Sequence, residues 1–196
     1  AHDRITAAPV FSPEQLPAFS RSTVDGYAIQ AEDTYGASDS LPAYLKMIGE
    51  VPMGGEPGFE LRASQSALIH TGGMLPEGAD AVVMVEHTQV SRQDEIEVLK
   101  AVAPGENVLY AGEDVSMGDE VIPSGTVLRP AEIGGLMALG IMRVEVTVPP
   151  RVGIISSGDE VVPPHKLPQP GQVRDINSFT LSSLVRENGG TPIQYG

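Results

Sequence analysis

The chain has 196 residues, and its 26 acidic against 12 basic side chains give a formal net charge of −14. Sequence-independent nucleic-acid binding and attachment to an anionic membrane both need a basic surface, so the charge disfavours both, and no apolar run approaches the roughly 20 residues that span a bilayer. The absence of cysteine excludes disulfide scaffolds, zinc ribbons and thiol catalysis, and is compatible with the cytoplasmic localisation that we expect.

The first part of the chain is dominated by prolines and by short β-like runs. Residues 1–20 contain three prolines and are predicted to be mainly an extended connector. Residues 21–111 alternate short apolar runs with glycine-rich turns, which predicts a compact β-barrel or sandwich. The predicted strands are Tyr27–Gln30, Ala43–Ile48, Glu60–Arg62, Ser66–His70, Ala81–His87, Gln89–Val90 and Glu95–Leu99.

The second part of the chain changes character twice. In residues 112–148 a helix is predicted from Pro130 to Ile141, with Gly140 near its end as a C-cap, and alternation over Val144–Val148 predicts a half-buried strand. Residues 149–196 are predicted to form one strand–helix–strand unit. Because a lone unit of this kind cannot cover both faces of a parallel sheet, we expect this domain to continue beyond the end of the chain. The predicted helix is Asn177–Asn188, with an apolar face of Phe179, Leu181, Leu184 and Val185.

Carboxylates beside glycines recur along the chain. Asp25 and Gly26 lie between β-formers, which is typical of a hairpin turn; the alternative is a carboxylate that a tight turn directs at a ligand. Three later stretches repeat the pattern, and each also has a structural interpretation as a strand start, a solvated turn or a βα loop. They contain Asp80, then Glu113-Asp114 after Gly112, then Asp159-Glu160 after Ser156-Ser157-Gly158.

A hydroxyl and two glycines follow another predicted strand. At Thr71-Gly72-Gly73 the hydroxyl and adjacent amides either hold an oxyanion or turn the chain. If several of these stretches converge, they form an acidic pocket whose carboxylate oxygens suit Mg²⁺, and the metal reconciles that pocket with an anionic ligand. The histidines show no zinc spacing and are interpreted as structural or surface residues. They are His2, His70, His87 and His165.

Five motifs occur in an order that covers essentially the whole chain. They are Pro17–Ala28, Thr71–Glu86, Gly112–Val115, Arg151–Glu160 and Gly171–Asn177. In this order they resemble the MoeA family, the molybdopterin molybdenumtransferases, which are related to the E domain of gephyrin. The resemblance implies insertion of molybdate into adenylylated molybdopterin with release of AMP, a divalent metal that is usually Mg²⁺, and an elongated homodimer with its pocket between subunits.

The same resemblance implies a mixed α/β multidomain fold. A β-rich domain, residues 21–111, is inserted into an elongated linker and dimerisation domain made of residues 1–20 and 112–148. Residues 149–196 are then the truncated start of a three-layer αβ domain that binds molybdopterin. The pocket of the family lies between the β-rich domain of one subunit and the αβ domain of the other.

The motif match also implies roles for individual residues. The implied catalytic residues are Asp25, Thr71, Asp114 and Glu160. Of these, the three carboxylates Asp25, Asp114 and Glu160 are expected to hold the metal or position molybdate, and Thr71 is expected to bond an oxyanion. The implied contacts of the pterin nucleotide are Ser157, Asp159 and Asn177.

The chain departs from the family pattern in two ways. Leu109, Tyr110 and Ala111 stand where family members often carry arginines, which removes one source of positive charge for an anionic ligand. The C-terminal half of the family's pocket is missing, so this fragment is not expected to catalyse alone. Two alternatives remain open: a non-catalytic dimerisation or scaffold module of the same family, and an unrelated Mg²⁺-dependent phosphohydrolase.

Overall fold

The computed structural model describes residues 1–195. The strands are β1 (Val10–Phe11), β2 (Arg21–Ser22), β3 (Gly26–Ile29), β4 (Ala43–Glu50), β5 (Gln65–Ile69), β6 (Ala81–Met84), β7 (Thr88–Arg92), β8 (Glu95–Val98), β9 (Val108–Leu109), β10 (Glu120–Ile122), β11 (Arg151–Ile154), β12 (Val161–Val162), β13 (Val173–Arg174) and β14 (Thr191–Gln194). The α-helices are α1 (Pro130–Ala138) and α2 (Asn177–Glu187), and short 3₁₀ turns cover Ala31–Thr34 and Val85–His87. The predicted β-rich character is therefore confirmed.

Six strands form the main sheet, in the order β6-β3-β5-β4-β8-β7. The β4–β5 pair is parallel and the other neighbours are antiparallel. Side chains alternate across β3, so that Tyr27 and Ile29 pack into one hydrophobic cluster and Ala28 packs into another. The sheet is thus covered by apolar side chains on both faces, which holds its strand ends in fixed positions.

Two predicted strands are wrong. Residues 60–62 are irregular, and only Leu61 among them is buried, where its amide bonds the carbonyl of Glu77. Residues 144–148 make a single bridge, from Val146 to Thr6, because their partner is the irregular N-terminal segment and not a regular strand. Both segments have the apolar pattern of a strand, but a strand also needs a partner with which it forms a continuous ladder of hydrogen bonds.

The first residues of the chain pair with residues about a hundred or more positions away. Strand β1 is antiparallel to β10, and isolated bridges join Ile5 to Val127 and Leu16 to Val115. Beside them, α1 begins at Pro130 as predicted but ends at Ala138 rather than Ile141. Its C-cap is Leu139, and Gly140 follows directly with a φ of 66°. The division of the chain into domains stays a prediction.

Residues 151–194 contain the predicted strand–helix–strand unit, with β11 and β14 parallel and α2 between them in sequence. The predicted packing face of α2 is wrong: Phe179 and Leu184 are about half exposed, whereas Ser178 and Ser182 are buried. Gln194 of β14 explains this orientation, because its side-chain amide donates to the Ser178 carbonyl and the Ser182 hydroxyl. No helix within residues 1–195 is long and apolar enough to cross a membrane.

Candidate functional site

Three strand ends of the main sheet meet at one edge. Gly26 at the start of β3 lies opposite Ile69 at the end of β5, and Glu50 at the end of β4 lies opposite Leu68. Because β3 runs against β5 and β4 runs with it, the residues just outside these ends are neighbours. The edge therefore collects Asp25, His70 and Glu50, followed by the turn that carries Thr71.

Asp25 is held by Thr71, another of the predicted site residues. One oxygen of its carboxylate, Oδ1, accepts a hydrogen bond from the Thr71 amide at 2.8 Å and from the Thr71 hydroxyl at 3.1 Å. These two bonds lower the pKa of Asp25 below its ordinary value, and the nearby His70 adds to the effect when its imidazole is protonated. The side chain remains exposed, so the result is an ionised, oriented carboxylate that faces solvent.

The hairpin-turn interpretation of Asp25-Gly26 is wrong. Gly26 lies within β3, while the preceding strand β2 pairs with β9 and not with β3. Glycine is required here by close approach: a Cβ on Gly26 would lie 2.0 Å from the carbonyl oxygen of Val83 in the neighbouring strand β6. The missing side chain brings β3 close to β6 directly after Asp25, and the Asp25 carbonyl accepts from the Val85 amide at 3.1 Å.

The turn at Thr71 does not offer the free amides that its sequence suggested. The Thr71 amide donates to Asp25, the Gly72 amide donates to the Ser22 carbonyl, and the Gly73 amide donates to the His70 carbonyl. The expected amide nest for an oxyanion is therefore absent from this turn. The oxyanion that Thr71 bonds in the structure is the carboxylate of Asp25 itself.

His70 and Glu50 are members of this cluster that the sequence reasoning missed. His70 Nε2 lies 3.1 Å from Glu50 Oε1, and His70 Nδ1 lies 3.8 Å from Asp25 Oδ1. The search for zinc spacing could not find them, because they come from neighbouring strands rather than from one helix or loop. The signal that could have found His70 is its position directly before Thr71, at the end of a predicted strand.

The other two predicted catalytic carboxylates lie elsewhere in the chain. Asp114 is exposed in a turn, and its backbone amide donates a hydrogen bond to the carbonyl of Leu16. Glu160 is exposed beside β12. Among residues 1–195, no group of three or more histidine, aspartate or glutamate side chains is placed to hold a metal ion. A single chain therefore does not assemble the predicted Mg²⁺ site from Asp25, Asp114 and Glu160.

Asp80, the remaining acidic residue singled out from the sequence, has a structural role. Its carboxylate accepts from the amide of Ala31 at 2.7 Å, and its own amide donates to the Ile29 carbonyl. These bonds fix the 3₁₀ turn that follows β3. For the stretch that contains Asp80, the structure therefore supports a structural role and not a ligand-binding one.

A second polar group lies where β11 ends and α2 begins. The Asp175 carboxylate accepts from the Ser178 amide at 3.0 Å and from the Ser156 hydroxyl at 3.1 Å, and these bonds, chiefly those from Ser178, lower the pKa of Asp175. Asn177 is the first residue of α2, and Ser157 and Asp159 are exposed in the preceding loop.

An open cleft of about 390 Å³ adjoins this group, and its lining includes Gly158, His165, Asp175 and Phe179. The sequence reasoning missed Asp175. Its signal was an aspartate three residues before a serine at the start of a predicted helix, which is a helix-capping pattern. The cleft and the loop that carries Ser157 and Asp159 lie past the carboxyl end of a parallel strand, where open α/β sheets place their ligands.

Comparison with known proteins identifies the family. Residues 1–140 match the family described as the MoeA N-terminal region, domains I and II. The chain belongs to the MoeA family. Its match to that description covers the main sheet, the Asp25–Thr71 pair and helix α1.

Relatives extend the similarity over the whole chain. The molybdopterin molybdenumtransferase of Nostoc sp. is 38% identical over 100% of this chain and 45% of its own length, and molybdopterin molybdenumtransferase 2 of Mycobacterium tuberculosis is 35% identical over 98% and 47%. The crystal structure of the molybdopterin biosynthesis moeA protein from Pyrococcus horikoshii OT3 superposes with a TM-score of 0.90 at 40% identity, covering 100% of this chain and 52% of that one. The chain spans about half the length of the curated relatives it matches.

Proposed function

We propose that this chain is the N-terminal portion of an enzyme that inserts molybdate into adenylylated molybdopterin with release of AMP. Family membership supports the reaction class, since relatives that align with the whole chain are named molybdopterin molybdenumtransferases. The observation that carries the proposal is the pairing of Asp25 with Thr71, because two implied site residues from stretches 46 positions apart are in direct contact.

The hydrogen bonds define what Asp25 can do. A group is an efficient general base when its pKa lies near the working pH, and the bonds from Thr71 move the pKa of Asp25 away from neutrality. We therefore assign Asp25 the role of a fixed anionic acceptor that orients a donor group of the substrate. Thr71 holds the carboxylate in that orientation, so both residues act by positioning rather than by proton transfer.

The proposal includes an elongated cytoplasmic homodimer. Asp25 lies at the edge of the main sheet, whereas Glu160, Ser157 and Asp159 lie in the loop region of the αβ unit. A pocket between the β-rich part of one subunit and the αβ part of the other would bring the two groups together, as the family resemblance implies. Within residues 1–195 of one chain no group of carboxylates and histidines is placed to hold a Mg²⁺ ion, so the metal stays a prediction for the assembled enzyme.

The test is molybdenum insertion by the full-length protein carrying Asp25→Asn or Asp25→Ala. Asparagine keeps an oxygen for the Thr71 bonds and removes the charge, so it separates charge from geometry. We expect both variants to lose about 10²-fold or more in turnover, the typical cost of removing one preorganised polar group from a reaction site. Asp94→Asn, in an exposed turn between β7 and β8, is the matched control and should be unaffected.

Two results would reject the proposal in different ways. Unchanged molybdenum insertion in Asp25→Ala would remove the catalytic assignment of Asp25 and would favour a scaffold role for this part of the protein. Phosphate release from simple phosphoesters, without dependence on molybdate, would favour a phosphohydrolase. Analytical ultracentrifugation of the full-length protein tests the dimer separately, because a monomer at micromolar concentration would contradict a pocket shared between subunits.

A further inference from the structure

His70 connects two carboxylates at the edge of the main sheet. Its ring lies between Glu50, with Nε2 3.1 Å from Oε1, and Asp25, with Nδ1 3.8 Å from Oδ1. Its backbone closes the turn that carries Thr71, because the His70 carbonyl accepts from the Gly73 amide at 2.8 Å. One residue therefore contacts β4 through its side chain and fixes the Thr71 turn through its main chain.

The two ring contacts have different natures. An ionised carboxylate only accepts hydrogen bonds, so Nε2 carries the hydrogen and donates to Glu50. This bond sets the plane of the ring and thereby the direction of Nδ1. The distance from Nδ1 to Asp25 is too long for a hydrogen bond, but when the imidazole is protonated it is within the range of a charge interaction. Glu50 thus holds the ring, and the ring faces the carboxylate.

The main chain of the Thr71 turn is attached to β2. The Gly72 amide donates to the Ser22 carbonyl at 2.8 Å, the Ser22 amide donates to the Gly73 carbonyl at 3.0 Å, and the Thr71 amide and hydroxyl donate to Asp25. The Glu50–His70 bond is the side-chain contact that ties the residue directly before Thr71 to β4. Its loss would let the turn shift relative to Asp25 while the sheet behind it stayed intact.

We propose that the Glu50–His70 pair is a positioning device for the Thr71–Asp25 contact, with His70 as the positioning residue. The inference rests on the proposed function, in which Asp25 orients the substrate. Glu50 anchors the imidazole, the imidazole and its carbonyl fix the turn, and the turn presents the Thr71 donors to Asp25. His70 itself does not touch the reacting atoms in this assignment.

The experiment compares His70→Leu, His70→Gln and Glu50→Ala in the full-length protein, with kcat and KM for adenylylated molybdopterin measured separately. A half-exposed charged contact corresponds to a change of about threefold to fivefold in rate. We expect His70→Leu and Glu50→Ala each to lower kcat by about that factor, with KM within about twofold. The side-chain amide of glutamine can replace the Nε2 donor to Glu50, so His70→Gln should recover most of the loss.

A double variant separates positioning from a general loss of packing. If both residues act through one contact, His70→Leu with Glu50→Ala should lose no more than either single variant, because coupled residues are not additive. His87→Leu, a histidine in the 3₁₀ turn after β6, is the matched control and should leave kcat unchanged. Circular dichroism of each variant shows whether the sheet is retained.

The possible outcomes are distinct. Wild-type kcat in His70→Leu, failure of His70→Gln to recover activity, or losses that multiply in the double variant would each overturn the inference. If Asp25→Ala abolishes insertion while His70→Leu is unaffected, only the His70 inference fails. If Asp25→Ala is itself unaffected, the proposed function fails, and the inference fails with it.

Discussion

Gly26 is a position where the backbone of a neighbouring strand leaves no room for a side chain. In Gly26→Ala the new Cβ would lie 2.0 Å from the Val83 carbonyl oxygen, 2.9 Å from the Val83 carbonyl carbon and 3.1 Å from Met84 Cα. All three atoms belong to the backbone of β6, which cannot rotate away as a side chain can. The variant therefore must separate β3 from β6 or lose their register.

The magnitude follows from that separation. Side-chain carbons essentially never approach another atom within 3.0 Å, so the strands must move apart by about 1 Å, which a close-packed interior resists. The hydrogen bond from the Val85 amide to the Asp25 carbonyl, 3.1 Å long in the wild-type structure, would then be broken. The loss of this bond, about 1 kcal/mol, together with about 1–3 kcal/mol of overpacking strain predicts a loss of about 2–4 kcal/mol in the free energy of unfolding.

Urea denaturation followed by circular dichroism measures this loss. The control is Gly58→Ala, because Gly58 is exposed, has no positive φ, and leaves open space within 4 Å of the point where a Cβ would lie. Its free energy of unfolding should stay within about 0.5 kcal/mol of wild type. A Gly26→Ala protein as stable as the Gly58→Ala protein would refute the close-approach explanation and would reopen the interpretation of Asp25-Gly26 as an ordinary turn.

Three further predictions concern stability. Ser66 is fully buried and its hydroxyl has no hydrogen-bond partner within the described residues, so Ser66→Ala should raise the free energy of unfolding by about 1 kcal/mol in urea denaturation. The equally buried Thr34 hydroxyl donates to a backbone carbonyl and accepts from the Val102 amide, so Thr34→Val should lower it by about 1–3 kcal/mol. The pKa of Asp175 is lowered from its ordinary value of 3.8, so its stabilisation is complete above that value and is lost as the pH falls toward the folded-state pKa. The difference in stability between wild type and Asp175→Asn should therefore be constant near neutrality and shrink below pH 3.8; a difference that grew on acidification would contradict this.

The sequence was most informative where one physical signal decided the structure. Apolar runs located β3 and β5, which are largely buried on both faces of the sheet, and alternation located β8, where only Ile96 and Val98 are buried. It failed at residues 60–62 because periodicity does not reveal whether a partner strand is present. It also failed for α2, where the buried side carries Ser178 and Ser182 and faces Gln194 of β14.

The candidate site was predictable in two of its members but not in its geometry. Asp25 and Thr71 were identified by motif, yet their contact depends on the register between β3 and β5, which no local pattern gives. The chemistry of Asp-Gly was ambiguous for a simple reason. A turn and a close approach of two strands both require a residue without Cβ, and only the structure shows which requirement applies at Gly26.

Register also explains why Glu50 and His70 meet at all. Strand β4 is parallel to β5, so that both strands end at the edge where β3 begins, and an antiparallel β4 would have carried Glu50 to the opposite edge. The pairing skips one residue between Met47 and Gly49, and a shift of one residue reverses the face of every side chain that follows. Because of that irregularity Glu50 pairs with Leu68, and His70, two residues after Leu68, lies on the same face. Asp25 lies opposite His70, because Gly26 pairs with Ile69 in the antiparallel β3–β5 ladder. The irregularity in β4 thus places Glu50 on the side of the sheet where the β3–β5 register places His70 and Asp25.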